Sequence, residues 1–284
     1  MTSVVIPAHN EETVIARCLR RLCDRCDADQ LDVIVVANGC SDRTADVARE
    51  FEGVNVVELG TASKAAALNA GDSLAVGFPR FYLDADVELD YKSLLVTVNA
   101  MEESGAEVAA PKLEWADAGR SFAVKSYYRV WEKMPYGQDN LVGVGVYALS
   151  RAGRGRFEDF PAIIADDLFI RNIFPPELRL TVECASFLIH PPYNLRNLLR
   201  MLTRQWVGND QLASQREVLT EEDRWSRRIG WLKARWSVLA EDRSLWMAVP
   251  VHALIYGSAR VAARYKRVRG DYSWGRDLSS RRLN

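Results

Sequence analysis

Histidine and cysteine are scarce in this 284-residue chain, three and five respectively. The cysteines are odd in number and four fall within the first forty residues, which is not the pattern of a disulfide framework. Cys23-Asp24-Arg25-Cys26 has the spacing of a metal knuckle, and Cys18 lies near, but no second pair follows. Ordinary thiols at a helix end are therefore expected rather than structural zinc. No apolar run reaches the ~20 residues needed to span a bilayer. The longest, Leu245 to Ala259, is interrupted by Pro250 and His252 and ended by Arg260. There is no internal repeat, and no signal peptide stands before Thr2-Ser3-Val4-Val5-Ile6, which already reads as a strand. A reducing cytoplasm is the expected compartment, with peripheral residence on the inner face of the membrane as a variant of it.

What remains is an ordinary globular composition, 48% hydrophobic and 26% charged. The formal net charge of -1 conceals an asymmetry: Arg224 to Asn284 carries 14 Lys/Arg against 4 Asp/Glu, and the rest carries 23 against 34. A basic C-terminal stretch faces phosphate, an acidic partner or anionic lipid.

Val4-Val5-Ile6, closed by Pro7, predicts a first strand. Val14, Ile15, Cys18, Leu19 and Leu22 then recur at helical spacing behind Asn10 as N-cap. Asp32 to Ala37 is a strand too apolar for a one-sided sheet, so both of its faces should be covered. Asn38-Gly39-Cys40-Ser41 makes a turn, with Ser41 or Asp42 capping a helix through Phe51. A strand over Val54–Leu59, a Ser63-capped helix from Lys64 to about Val76, and a strand at Phe81-Tyr82-Leu83 follow. This alternation predicts a parallel sheet. Later elements are a helix from Tyr91 to Met101, a strand from Ala106 to Pro111 and an aromatic helix from Ser121 to Met134. A strand over Val142–Leu149, a helix from Asp166 to Phe174, two short strands at 179–182 and 186–189, and a nearly all-helical remainder complete the reading.

Asp84 and Asp86 end the fourth strand two positions apart. On extended backbone they share a face, at the carboxyl edge where open α/β sheets bind ligands. Paired carboxylates suit Mg²⁺ or Mn²⁺ on a diphosphate, although a solvated turn after a strand can look the same. Four features stand in one order: Pro7-Ala8-His9-Asn10-Glu11-Glu12, Asn38-Gly39-Cys40-Ser41-Asp42, Lys64-Ala65-Ala66-Ala67-Leu68-Asn69-Ala70-Gly71 and Asp84-Ala85-Asp86. Together they resemble the nucleotide-sugar half of the family-2 inverting glycosyltransferases. The likeness is close from Val4 to Val87 and usable to about Arg216.

The resemblance implies the GT-A fold, a Rossmann-like, mostly parallel sheet between helices, here over residues 1–216. The nucleotide-sugar half would be 1–90 and the acceptor half 91–216, with a basic, Trp-rich helical region at 217–284. It implies a hexosyltransferase-type enzyme using a nucleoside diphosphate-sugar, UDP first and GDP second, with Mn²⁺ or Mg²⁺. Pro7, Ala8 and Glu11 would line the nucleoside pocket, and Asn10 would join them or cap its helix. His9 would stack on the base or simply pack. Asn38 replaces an aspartate common in relatives; an amide both donates and accepts, which leaves the base open. Lys64 would face phosphate or sugar from a helix start. Asp84, with Ala85 beside it, would contact ribose or sugar, and Asp86 would ligate the metal. Asp166-Asp167 occupies the place of the family's acidic pair, with Asp167 the expected general base and helix capping its structural alternative.

Processive members carry Gln-x-x-Arg-Trp. Arg200-Met201-Leu202-Thr203-Arg204-Gln205-Trp206 does not match, so a non-processive enzyme is expected. Arg200 and Arg204, one helical turn apart, would grip the diphosphate or form a solvated face. Gly143, Tyr147 and the helix near Trp131 are candidate lining for an acceptor, whether saccharide, lipid or natural product. Trp225, Trp231, Trp236 and Trp246 among basic residues suit an anionic lipid surface, packing on the catalytic domain or a homodimer contact. No motif supports nucleic acid. A nucleotide-sugar-binding relative without activity, acting through its basic region, is the alternative. A phosphohydrolase is disfavoured, because its Asp-x-Asp begins the chain's first strand, whereas here the pair follows the fourth and Glu88 stands two after Asp86.

Overall fold

The computed structural model describes residues 1–24, 30–134, 144–163, 166–214, 237–238, 240 and 242–269. They fall into two compact units, one drawn from residues 1–115 and 140–190, the other from 116–139 and 191–282. In the first unit the chain runs β1 (Thr2–Ala8), α1 (Ile15–Cys23), β2 (Leu31–Asn38), α2 (Thr44–Arg49), β3 (Val54–Leu59), α3 (Lys64–Leu74), β4 (Arg80–Leu83), β5 (Glu88–Leu89), α4 (Tyr91–Ser104) and β6 (Val108–Trp115). Helix α5 (Phe122–Trp131) belongs to the second unit. The first resumes with β7 (Val146–Leu149), α6 (Arg151–Arg154), α7 (Asp166–Ile173) and β8 (Arg179–Ile189). The second continues with α8 (Leu195–Ser214) and α9 (Ala248–Val268).

The sheet order is β3-β2-β1-β4-β7-β6-β8-β5. β1 pairs in parallel with β2 and β4, and β2 with β3, as the alternation of strand and helix predicts. Every residue of β1 is buried, and all but one of β2, so both faces of these strands are covered. The strand order runs outward from β1, to β2 and β3 on one side and to β4 on the other, with all four strands parallel. A crevice between the carboxyl ends of β1 and β4 is the outcome. β7 then pairs antiparallel to β4, which brings Gly145 to that same edge.

Several expectations shift. β1 continues through Pro7 to Ala8 instead of closing at Pro7, because pairing with β4 stops at Val5. Beyond that point the strand has a neighbour on one side only, where a residue without an N–H is tolerated. Asn10 does not cap α1: the helix starts after Val14 with no side-chain cap, and Asn10 adopts a left-handed φ of 51°. The two strands expected at 179–182 and 186–189 are one strand, β8. A register shift opposite Pro111/Lys112 takes up residues between Val182 and Ser186, and that irregularity is what the sequence shows as a break. Ser63 caps α3 as expected, its hydroxyl accepting from Ala66 N–H. Cys26, Gly143, Trp225, Trp231 and Trp236 lie outside the described residues.

In the second unit, α5, α8 and α9 pack together. Val130, Met134, Val238, Leu245 and Ala248 form a buried cluster. The ring of the fully buried His252 stacks on Tyr127 at 4.8 Å between centroids, and Trp206 meets Tyr256 edge-on at 5.0 Å.

Helix α3 lies against β1 and β2 at Gly71, where an added Cβ would sit 2.4 Å from Val5 Cγ1 and 3.2 Å from Val36 Cγ2. Gly71→Ala gains about 1 kcal/mol of helix propensity but overpacks a closed helix–sheet contact at a cost of about 1–3 kcal/mol. A net loss in urea denaturation is expected; a variant as stable as wild type would contradict the close approach.

Candidate active site

The first two βα turns are joined by side chains rather than by pairing. Asn38 Nδ2 donates to the Ala8 carbonyl at 2.8 Å, and the His9 ring contacts the Asn38 carbonyl at 2.5 Å. Asn10 Oδ1 accepts from Ser41 N–H at 2.7 Å, and Glu11 N–H donates to Thr44 Oγ1 at 2.7 Å. Glu12 and Asp42 each bond the other's loop. These loops, expected to touch a nucleoside, therefore hold each other in place. Asn38 is 2% exposed, and the bond to Ala8 orients its amide so that Oδ1 is left buried without a partner among the described residues. A buried acceptor of this kind is costly unless a donor completes it.

At the end of β4 the chain turns instead of extending. Val87 N–H donates to the Asp84 carbonyl at 3.0 Å, closing a β-turn over Asp84-Ala85-Asp86-Val87, so strand alternation does not set the relation of the two aspartates. Asp84 N–H is held by the Gly145 carbonyl at 2.8 Å. Gly145 has φ 84°, and a Cβ there would lie 2.8 Å from Val87 Cγ2, so a glycine is required for this approach. Behind the turn, Glu88 Oε1 receives Arg17 Nε at 2.9 Å and His190 Nε2 at 2.6 Å, while Arg17 Nη2 reaches the Asp86 carbonyl at 3.5 Å. The sequence carried no signal for this cluster, because its members come from α1, β5 and the end of β8.

The centre of the site is Lys64. From the first position of α3 its ammonium lies 2.8 Å from Asp84 Oδ1 and 2.9 Å from Asp166 Oδ2. Burial alone disfavours this charge, but Asp166, Asp84 and Asp167 raise its pKa well above the usual lysine value. Lys64, expected to meet phosphate or sugar, is thus already committed to two carboxylates. Asp166 is buried and Asp167 half-buried, both in the first turn of α7, where the helix dipole favours acids. Burial and the neighbouring Asp166 charge push Asp167 well above the ordinary carboxylate range, against the pull of Lys64 and a Gly145 backbone hydrogen bond. Asp166 is itself raised by burial, in spite of Lys64. The two titrate as a pair. Tyr147, 2% exposed, stacks on Tyr82 at 5.1 Å, and its hydroxyl has no hydrogen-bond partner among the described residues.

α3 also anchors the segment that leads to the acidic pair. Asn69 brackets Phe160, donating to its carbonyl at 3.1 Å and accepting from its N–H at 2.8 Å. Asp72 binds Arg154 at 2.8 Å together with Arg80 and the Tyr82 hydroxyl. Neither Asp72 nor its cluster was singled out from the sequence; a carboxylate near a helix end, 82 residues from its arginine, gives no local pattern. Arg200 and Arg204 lie on α8 in the second unit, Arg200 exposed and Arg204 half-buried.

For a metal the donor set is oxygen only. Among the described residues no group of three or more His, Cys, Asp or Glu gathers to hold an ion. Mg²⁺ and Mn²⁺ bound to a diphosphate need only one or two protein carboxylates, with phosphate and water completing the shell. Asp84 and Asp86 are carboxylates of that donor type.

Sheet order and the helices on both faces of the sheet define an α/β domain of the GT-A type. The family model for glycosyl transferase family 2 matches residues 3–155, more than half of the chain, and the chain belongs to that family. Probable glycosyltransferase YdaM of Bacillus subtilis (strain 168) is 37% identical over 93 residues, covering 30% of this chain and 22% of that protein. The chain thus spans well under two thirds of that relative's length. Among solved structures, mannosyltransferase PcManGT from Pyrobaculum calidifontis, in complex with GDP-Man and Mn²⁺, superposes with a TM-score of 0.67 at 18% identity, over 94% of this chain and 86% of that one. S. aureus TarS 1-349 in complex with UDP-GlcNAc gives 0.51 at 13% identity, over 96% and 93%. These likenesses establish the shared fold.

Asp72→Ala strands two largely buried arginines, and a loss of about 3–5 kcal/mol is expected. Burial opposes the Asp72 charge, but hydrogen bonds from Arg154, Tyr82 and Arg80 hold its pKa below the ordinary 3.8. Its contribution is therefore complete above that value and lost as pH falls through the native one. Chemical denaturation at neutral and acid pH should show the variant's deficit shrinking toward low pH. A pH-independent deficit would assign the effect to packing.

Proposed function

We propose that the chain transfers a sugar from a nucleoside diphosphate-sugar to an acceptor hydroxyl with inversion at the anomeric carbon, non-processively, with UDP-sugars first and GDP-sugars second among donors. The observation that carries this reading is the gathering of Asp84, Asp166 and Asp167 around the single ammonium of Lys64. Three carboxyl groups about one cation leave the site negatively charged once Asp166 and Asp167 have lost their protons. A hard divalent ion held by Asp86 and Asp84 suits that field and, when bound, neutralises the diphosphate leaving group. Lys64 keeps Asp84 and Asp166 in place and stands at a helix N-terminus whose free amides favour anions.

Asp167 is the general base. Its raised pKa brings a carboxylate, ordinarily too weak a base, toward the pH at which an acceptor hydroxyl must lose its proton. Asp166, tied to Lys64, supplies the neighbouring charge that keeps it there. In the nucleoside pocket, the buried Asn38 Oδ1 is an acceptor for an imino or amino N–H of the base. Pro7, Ala8, His9, Asn10 and Glu11 form the adjoining wall. Tyr147 offers its hydroxyl to a sugar.

Asp167→Asn should lower kcat by about 10²–10⁴-fold. It should also raise the melting temperature at neutral pH. A carboxylate whose native pKa lies above its unfolded 3.8 costs stability as pH rises past that value, and the amide removes the cost. Wild-type turnover should fall on the acid side as the pair takes up protons. Full activity in Asp167→Asn refutes the assignment.

Thermal-shift titration with uridine, guanosine, thymidine and cytidine diphosphates, each with and without Mn²⁺, tests donor and metal together. Stabilisation by uridine diphosphate that requires Mn²⁺ and disappears in Asp86→Asn is expected. The same shift without metal, or in Asp86→Asn, sinks the metal assignment.

A further inference from the structure

Helix α9 is 21 residues long and buries one side against α5 and α8 through Ala248, His252, Ile255, Tyr256, Ala259 and Ala263. Its other side is apolar as well. Leu254 is 72% exposed, Val261 71%, Tyr265 56% and Val268 78%, with Met247 before the helix at 52%. At about 100° per residue these five positions fall on one narrow stripe, and the exposed Pro250, Gly257, Ser258 and Ala262 flank it without adding charge. Nothing among the described residues covers this stripe.

The charges at its margins decide what does. Arg264 borders the stripe on one side, with Arg267 further round and Arg260 turned to 5.1 Å from the Trp206 ring centroid, and Arg269 borders it on the other. From Arg243 to Arg269 there are six basic residues and no acidic one. A second copy laid on this face would bring two basic helices together with no acidic residue between Arg243 and Arg269 to pair them. An anionic lipid surface instead takes the stripe among its acyl chains and the guanidinium groups among its headgroups. Tyr265, with the Arg269 guanidinium 4.4 Å from its ring centroid, has the amphipathic character of a side chain at headgroup level. No described helix is long and apolar enough to cross a membrane, so α9 would lie in the plane of the surface.

We infer that the exposed face of α9 is a docking surface for anionic membranes. This is independent of the catalytic assignment, since it uses no residue of the acidic site. The test is co-sedimentation of the full chain with vesicles of phosphatidylcholine alone and of two parts phosphatidylcholine to one part phosphatidylglycerol, at low and high salt. Binding to the anionic vesicles, weakened by salt, with little to the neutral ones is expected. Leu254→Asp/Val261→Asp should reduce it by about tenfold or more while the melting temperature stays at the wild-type value. Arg264→Gln/Arg267→Gln/Arg269→Gln should weaken it roughly fivefold per arginine and flatten the salt dependence. Equal binding to both vesicles, no binding by wild type, or retention in the Leu254→Asp/Val261→Asp variant overturns the inference. So does analytical ultracentrifugation showing a dimer that this variant dissociates, which would give the face to a second copy.

Discussion

One ammonium holds the carboxyl edge of this domain's sheet together. Lys64 sits where three carboxylates from two distant parts of the chain converge, Asp84 after β4 and Asp166 and Asp167 at the start of α7. Without it, these acids would repel one another in a partly desolvated space, and α7 could not present both of its first residues to the site. The same arrangement leaves an excess of negative charge.

The rest of the first unit serves that contact. α3 carries Lys64 at its first turn, Asn69 at its middle and Asp72 near its end. These three residues grip the β4 turn, the Phe160 backbone and Arg154 in succession. Gly71 lets the helix lie close enough to β1 and β2 for them to reach. The run from Lys64 to Gly71 is thus one structural device, which explains why its residue types occur together. On the other side of β4, Arg17, Glu88 and His190 brace the turn that presents Asp86.

The second unit has a different logic. Its helices bury aromatic rings and His252 among themselves, and α9 keeps an apolar stripe outside. In water such a stripe has no favourable neighbour, and the basic margins decide which surface can supply one.

Much of this was legible in the chain. Periodicity located β1 to β4 and α1 to α3, because a strand buried on both faces and an amphipathic helix leave short-range patterns. The ordered motifs beginning at Pro7, Asn38, Lys64 and Asp84 named the family, whose model and fold agree. Local pattern could not show that Asn10 ties two loops instead of capping a helix, or that Asp84 to Val87 turns rather than extends. Those outcomes rest on partners some thirty to sixty residues away, Ser41 for Asn10 and Gly145 for Asp84. Nor could it show that Lys64 is neutralised by carboxylates from two elements, or that Asp72 is the hub for Arg80, Arg154 and Tyr82. The sequence by itself determined which residues would stand at the carboxyl edge, since strand ends and turn chemistry are local. Only the tertiary structure decided their electrostatics, because a pKa depends on which charges the fold brings within a few ångströms and how much water it removes.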